Sequence, residues 1–336
     1  MTAEGEAVAT AGREPLTLRI LDWLGEPEWI WIVLWTGVSL IRPVVLSIAL
    51  DASGRRLTSG EWLTVVSSQL AIAWLTLVGF WGVRRISRGV RALAPELATI
   101  APGDAAREFF PGMASTIGPL ALTFGVVVVP SFVSSWQHWG PLPALTDFPL
   151  VVINSLPSMT FVWVYLVLLA GLHRLGRARL SLDPFPEDRS LGLGPVGSLA
   201  LTGFWLVLVA AIPLIAVESS ELATVVLTLG VIVASVALFF LSLFRVHRQM
   251  AQAKRHYVTQ ARVMYREAYA PVRAKPALKT LQAQSAALGV AQALVERAEK
   301  ILEWPIDERA TTWVVVVITG VVTGLTVRLV LTLAGA

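Results

Sequence analysis

Apolar residues along this chain collect in seven stretches of about twenty, at 29–50, 63–83, 114–136, 149–172, 194–217, 221–244 and 311–334. At ~1.5 Å per helical residue, each is long enough to cross a ~30 Å hydrocarbon core. The fold class expected is all-α, a polytopic membrane protein with about seven transmembrane helices. Acidic residues (Glu4, Glu6, Glu14, Asp22, Glu26, Glu28) precede the first stretch, which is too long for a signal peptide and reads as a retained anchor. The chain then divides into an amino-terminal segment (1–28), spans one to six (29–244), a polar helical excursion (245–310) and span seven (311–336).

The polar positions orient these spans. Of 27 Lys and Arg residues, 2 precede span one, 5 lie between spans two and three, 4 between four and five and 12 between six and seven. All of those fall on one side, whereas the opposite loops hold only Arg55 and Arg56. The positive-inside rule places the amino terminus in the cytoplasm and, with seven spans, the carboxyl terminus outside the plasma membrane. Trp29, Trp81, Trp304 and Trp313 fall at the expected inner interface, and Trp62, Trp136 and Trp139 at the outer one, as an aromatic belt requires.

Spans two, four and six end alike, in Arg85-Ile-Ser-Arg88, Arg174-Leu-Gly-Arg177 and Arg245-Val-His-Arg248, and Pro119, Pro195 and Pro305 open the span that follows each. Proline in a first helical turn costs no hydrogen bond. Either three related hairpins or the common demands of orientation and helix starts account for the likeness. The six arginines suit anionic lipid headgroups beside the bilayer.

Span six is expected to continue into the excursion, where Val246, Met250, Tyr257, Ala261 and Met264 recur at helical spacing. Pro271 and Pro276 should end that helix before a second one over 277–303, giving a cytoplasmic helical hairpin. Leu281, Leu288, Val295 and Leu302 form a heptad seam in the second helix, with Ala291 and Ala298 beside it. The seam suits packing against the first arm or, as the rival reading, a subunit contact. An interfacial helix is expected from Pro15 to Leu24.

Composition excludes much chemistry. The chain is 55% hydrophobic and 15% charged, with no cysteine. Disulfides, thiolate metal sites and cysteine nucleophiles are thereby ruled out. The four histidines are scattered, His138 being read in a loop, and show no metal-ligand spacing. Gly192-Leu-Gly-Pro-Val-Gly197 matches a dinucleotide fingerprint literally, but no strand precedes it. The spans contain no lysine for a retinal Schiff base. Their interiors also read as free of carboxylates, which argues against a buried proton relay. No enzyme activity, metal, cofactor or nucleic-acid partner is expected.

Polar residues within the spans concentrate in the outer half: Arg42, Ser67, Ser68, Gln69, Ser131, Asn154, Ser155, Ser158 and Arg328, with Pro43, Pro130, Pro157 and Pro213. A central Arg costs ~2.5–3.5 kcal/mol on insertion scales, so Arg42 and Arg328 either snorkel outward or line a wet cavity. The second choice gives an anion-attracting outer vestibule. In span seven, Thr312, Thr319, Thr323 and Thr326 form a hydroxyl stripe, the last three beside Gly320 and Gly324, whose GxxxG spacing permits close helix packing or a narrow pore.

This arrangement resembles the seven-transmembrane ion channel superfamily that includes insect odorant and gustatory receptors. That family's last span carries threonine-tyrosine, five hydrophobic residues and glutamine-phenylalanine, where this chain has Thr312-Trp313, five hydrophobics and Thr319-Gly320. Only the threonine and the spacing are kept. The resemblance implies a homo-oligomer, a tetramer with span seven lining a central pore and the cytoplasmic helices as its anchor. The leading expectation is a stimulus- or ligand-gated ion channel. A secondary transporter and a receptor or scaffold without transport activity are the rivals.

Overall fold

The computed structural model describes residues 14–100, 109–178, 180–182, 189–216, 222–273, 281–306 and 308–334. Among them every regular element is a helix: α1 (Leu16–Leu24), α2 (Glu28–Ala52), α3 (Ser59–Ile100), α4 (Ile117–Leu122, then a π-helical turn Thr123–Val128, then Val129–Trp139), α5 (Pro141–Leu175), α6 (Gly194–Ala216), α7 (Leu222–Arg273), α8 (Leu281–Glu299) and α9 (Glu308–Ala334). Six of them, α2 to α7, are long and apolar enough to cross a membrane. The protein is a multi-pass membrane protein. Within α9 the apolar part, Thr312–Gly324, is shorter than in those six, so the seventh crossing rests on the sequence pattern.

The region around 137–148 is not a loop, because α4 and α5 are joined by Gly140 alone, with φ 94°. That left-handed conformation suits glycine, and Pro141 and Pro143 fall in the first turn of α5, where the missing N–H groups have no helical partner in any case. His138 is therefore in the last turn of α4. Pro305, in turn, lies in the bend before α9 rather than in its first turn. The continuation of span six is observed, α7 being a single helix of 52 residues. It carries Pro271 within its last turn, and Pro276 lies outside the described residues.

Helix α5 is the hub, touching α1, α2, α3, α4, α6 and α7. Its buried side includes Phe161, Val164, Leu168, Leu172 and Leu175, which meet Phe80, Val83 and Ile86 of α3, Phe204 of α6, and Phe239, Leu243 and Val246 of α7. Lipid tails are as apolar as leucine, so helix association in a bilayer depends on close contact and interhelical hydrogen bonds. The closeness is visible at Gly79, where an added Cβ would lie 2.9 Å from the backbone of Pro157 in α5.

The connecting segments sort to two ends of this bundle. At one end Arg84 pairs with Glu28 at 2.7 Å, Arg91 with Glu14, and Arg19 donates to Thr116 Oγ1 at 2.7 Å. The same end gathers the later loops: Ser181 N donates to Ile100 O, Gln249 to Gly176 O and Ala178 O, and Leu302 N to Arg189 O. At the other end, Arg55 donates to His138 O at 3.1 Å and stacks on Trp139. The excursion thus lies at the basic end, opposite Arg55. Trp29 and Trp81 near the basic end and Trp62 and Trp136 near the other are exposed, where an aromatic belt puts them.

Beyond the bundle, α8 folds back on the extension of α7. Ala261 of α7 and Ala291 and Ala298 of α8 are buried there, while Leu288, Val295 and Leu302 are half-buried. The heptad seam is thus used within the chain, as one of the two readings expects; the side chain of Leu281 lies outside the described residues. Met264, the last residue of the recurrence that begins at Val246, is exposed. Helix α1 forms as the sequence suggests, with Leu18 and Leu21 buried and Trp23 exposed.

Candidate functional site

The polar residues that the bundle buries are not scattered. Arg42 on α2 meets Asp147 on α5 through two parallel bonds, Nε to Oδ1 at 2.5 Å and Nη2 to Oδ2 at 2.6 Å. The Arg42 side chain is 19% exposed and that of Asp147 only 7%. With the Gln69 amide of α3 turned so that its oxygen faces the guanidinium, that oxygen accepts from Arg42 Nη1 at 2.9 Å. The amide nitrogen then donates to Ser39 O at 3.3 Å. Ser39 Oγ donates to Asn154 Oδ1 at 3.1 Å, and Thr76 Oγ1 reaches Asn154 O at the same distance. One chain of polar contacts therefore ties α2, α3 and α5 together.

Prolines account for much of this polarity, since each removes one N–H and strands the carbonyl four residues earlier. Pro157 frees the carbonyl of Ile153, and Trp35 Nε1 of α2 donates to it at 2.7 Å. Pro213 frees that of Val209, and Trp74 Nε1 of α3 donates to it at 2.9 Å. Pro43 frees that of Ser39, which is the acceptor of the Gln69 amide. In lipid no water can fill such gaps, so a neighbouring helix supplies the donor. Three proline breaks become three interhelical bonds.

Depth follows from register. At ~1.5 Å per residue, Asp147 lies ~9 Å along α5 from Pro141, and Thr76 ~26 Å along α3 from Ser59. The polar chain enters from the end opposite the basic loops and stops near mid-bundle. There the Gly79–Pro157 contact and the buried side chains of Phe80, Phe161 and Val83 close it. Asn154 Nδ2, at its inner end, is buried without a hydrogen-bond partner.

Asp147 corrects the sequence reading twice. A carboxylate is buried in one of the six candidate spanning helices, two residues before the stretch 149–172 that the apolar pattern marks, and Arg42 is not a free cation of a positive ring but one half of an ion pair. A lone Arg at that depth is costly, and a pair is tolerated only when its hydrogen bonds are satisfied. Here all three guanidinium nitrogens have acceptors. A carboxylate held on both oxygens by a guanidinium fork is also the arrangement by which proteins recognise carboxylate and phosphate ligands.

Of the expected vestibule residues, Arg42, Gln69 and Asn154 are brought together, and Ser158 lies one turn beyond Asn154, its backbone against Gly79. Thr319, Thr323 and Thr326 are exposed on α9, far along the chain from this cluster, and Thr326 bonds Val322 O of its own helix. Cβ atoms added at Gly320 and Gly324 meet nothing within 4 Å, so the GxxxG makes no close contact among the described residues. The side chain of Arg328 lies outside the described residues. Arg85, Arg88, Arg174, Arg177, Arg245 and Arg248 are all exposed at the basic end.

Sequence reasoning missed Asp147, Ser39, Thr76, Trp35 and Trp74. Asp147 was concealed because it falls with Pro141 and Pro143 in the stretch 137–148, between the apolar spans, which read as a loop. The signal for the tryptophans was the proline at i+4 from each stranded carbonyl, but the partner helix cannot be named without the packing. No family model matches the chain, and neither a curated protein nor a solved structure matches it significantly.

Proposed function

We propose that the protein is a secondary transporter that admits a small anion, of carboxylate type, to Arg42 in exchange for the side chain of Asp147. The supporting observation is the buried two-bond Arg42–Asp147 pair, held among the proline-interrupted helices α2 and α5 and braced by Gln69. The pair is a resident carboxylate on a carboxylate-binding fork, so an incoming anion replaces like with like and meets a donor set already oriented. Asn154 Nδ2 supplies a further donor deeper along the same chain of contacts. Interrupted helices with polar groups near mid-membrane are the usual setting of transporter binding sites.

In this reading the basic end faces the cytoplasm, as the positive-inside rule requires, and the polar chain opens outward. The channel reading draws on a different observation, the exposed Thr319, Thr323 and Thr326 stripe of α9, which a symmetric assembly would turn toward its axis.

The test is occupancy of the fork. Asp147→Ala removes the resident carboxylate and leaves Arg42 with two vacant donors. Its thermal stability in detergent should fall and recover on addition of acetate or formate, the parent should respond more weakly because Asp147 competes for the fork, and the Asp147→Ala/Arg42→Gln double variant should not respond. A variant that loses stability and gains nothing from either anion contradicts an exchangeable carboxylate site and leaves the pair as a structural clamp.

A further inference from the structure

The four arginines of α3 between residues 84 and 91 do not share one environment. Arg84 is paired with Glu28 at 2.7 Å and Arg91 with Glu14, so the amino-terminal segment neutralises one face of the helix. Arg85 and Arg88 point elsewhere, are exposed, and make no ion pair or hydrogen bond among the described residues. Both line a groove of about 320 Å³ between α3 and α6. Its floor is where the two helices touch, since a Cβ added at Gly89 would lie 2.4 Å from Leu199 Cδ1. Its far wall carries the hydroxyls of Ser198 and Thr202, four residues apart on α6 and so on one face.

We propose that this groove holds the phosphodiester headgroup of an anionic phospholipid. Position and charge both favour that occupant. Trp81, 57% exposed, lies one turn from Arg85 on the same face of α3 and sits where indoles mark the headgroup level. Two guanidinium groups one turn apart present several N–H donors to one phosphate, and the Ser198 hydroxyl offers a neutral donor across the groove, that of Thr202 being given to Ser198 O at 2.8 Å. Glu96 lies two turns beyond Arg88 at the groove's far end and sets its limit, leaving the Arg85–Arg88 half positive. The groove opens between two membrane-spanning helices, so a lipid enters sideways with its chains still in the bilayer.

The site is tested on the full chain in nanodiscs of phosphatidylcholine with a minority of phosphatidylglycerol, counting the lipids retained on release by native mass spectrometry. The parent should retain phosphatidylglycerol selectively, and R85Q/R88Q should retain roughly thirtyfold less, about 1 kcal/mol of attraction per basic residue being lost twice. R55Q/R56Q, at the opposite end, should match the parent. Ala92→Phe, which fills the groove without touching its charge, should lose the lipid as well, and decides the matter if the double arginine variant does not fold. Undiminished phosphatidylglycerol in folded R85Q/R88Q or in Ala92→Phe overturns the site. Displacement by millimolar glycerol 3-phosphate overturns the lipid assignment in favour of a soluble phosphate ligand. Neither result bears on Arg42 and Asp147.

Discussion

At the residue scale the energetics turn on what each buried polar atom has for a partner. Removing one member of a buried ion pair leaves the other uncompensated and typically costs ~3–5 kcal/mol, whereas removing both costs much less. Arg42→Gln and Asp147→Ala are each expected to lower stability in that range, with the double variant well short of the sum. A thermal-denaturation double-mutant cycle measures the coupling, and additive losses would mean that the two side chains do not act as a pair. The tryptophans admit a finer test. Trp35→Phe removes the donor to the Ile153 carbonyl stranded by Pro157 and should cost on the order of 0.6–1.5 kcal/mol. In a Pro157→Ala background the carbonyl regains its helical partner, so the same change should cost measurably less.

Helices are the scale at which the sequence was most legible. The spans over 29–50, 149–172 and 194–217 lie within or overlap α2, α5 and α6, because twenty apolar residues have no other stable form in lipid. The α4–α5 turn was not legible. Pro141 and Pro143 carry a loop's composition, and only a first-turn position, which depends on Gly140 adopting φ 94°, makes them helical, while Asp147 and Pro149 lie further along the same helix. Close approach was hidden for a related reason, since a glycine in an apolar run does not say what passes beside it. Gly79→Ala places a Cβ 2.9 Å from the Pro157 backbone, which cannot move aside as a side chain would, and overpacking of this kind costs ~1–3 kcal/mol. Gly320→Ala and Gly324→Ala meet open space and should leave monomer stability unchanged. If they change the oligomeric state by light scattering, the α9 stripe is an interface between copies.

For the whole molecule, charge asymmetry along the chain and contacts in space agree on which segments share an end. Arg84, Arg91, Gln249 and Leu302 reach residues of other connections at the basic end, while Arg55 reaches His138 at the other. The absence of cysteine makes sidedness simple to measure. Single cysteines at Arg56 and Arg177 should label from opposite sides of intact cells, the first with an impermeant maleimide and the second only after permeabilisation. Labelling of both from outside would contradict the orientation. The candidate site was half legible: Arg42, Gln69 and Asn154 stood out as polar residues in apolar spans, but their connection to Asp147 needed the fold. In the proposed transporter this connection carries a solute across the bilayer. The deciding measurement is uptake of radiolabelled small carboxylates into proteoliposomes containing the purified parent or Arg42→Gln. Saturable uptake by the parent, lost in a folded Arg42→Gln variant, is the predicted result; uptake no greater than in protein-free liposomes, or equal in the two proteins, would contradict it.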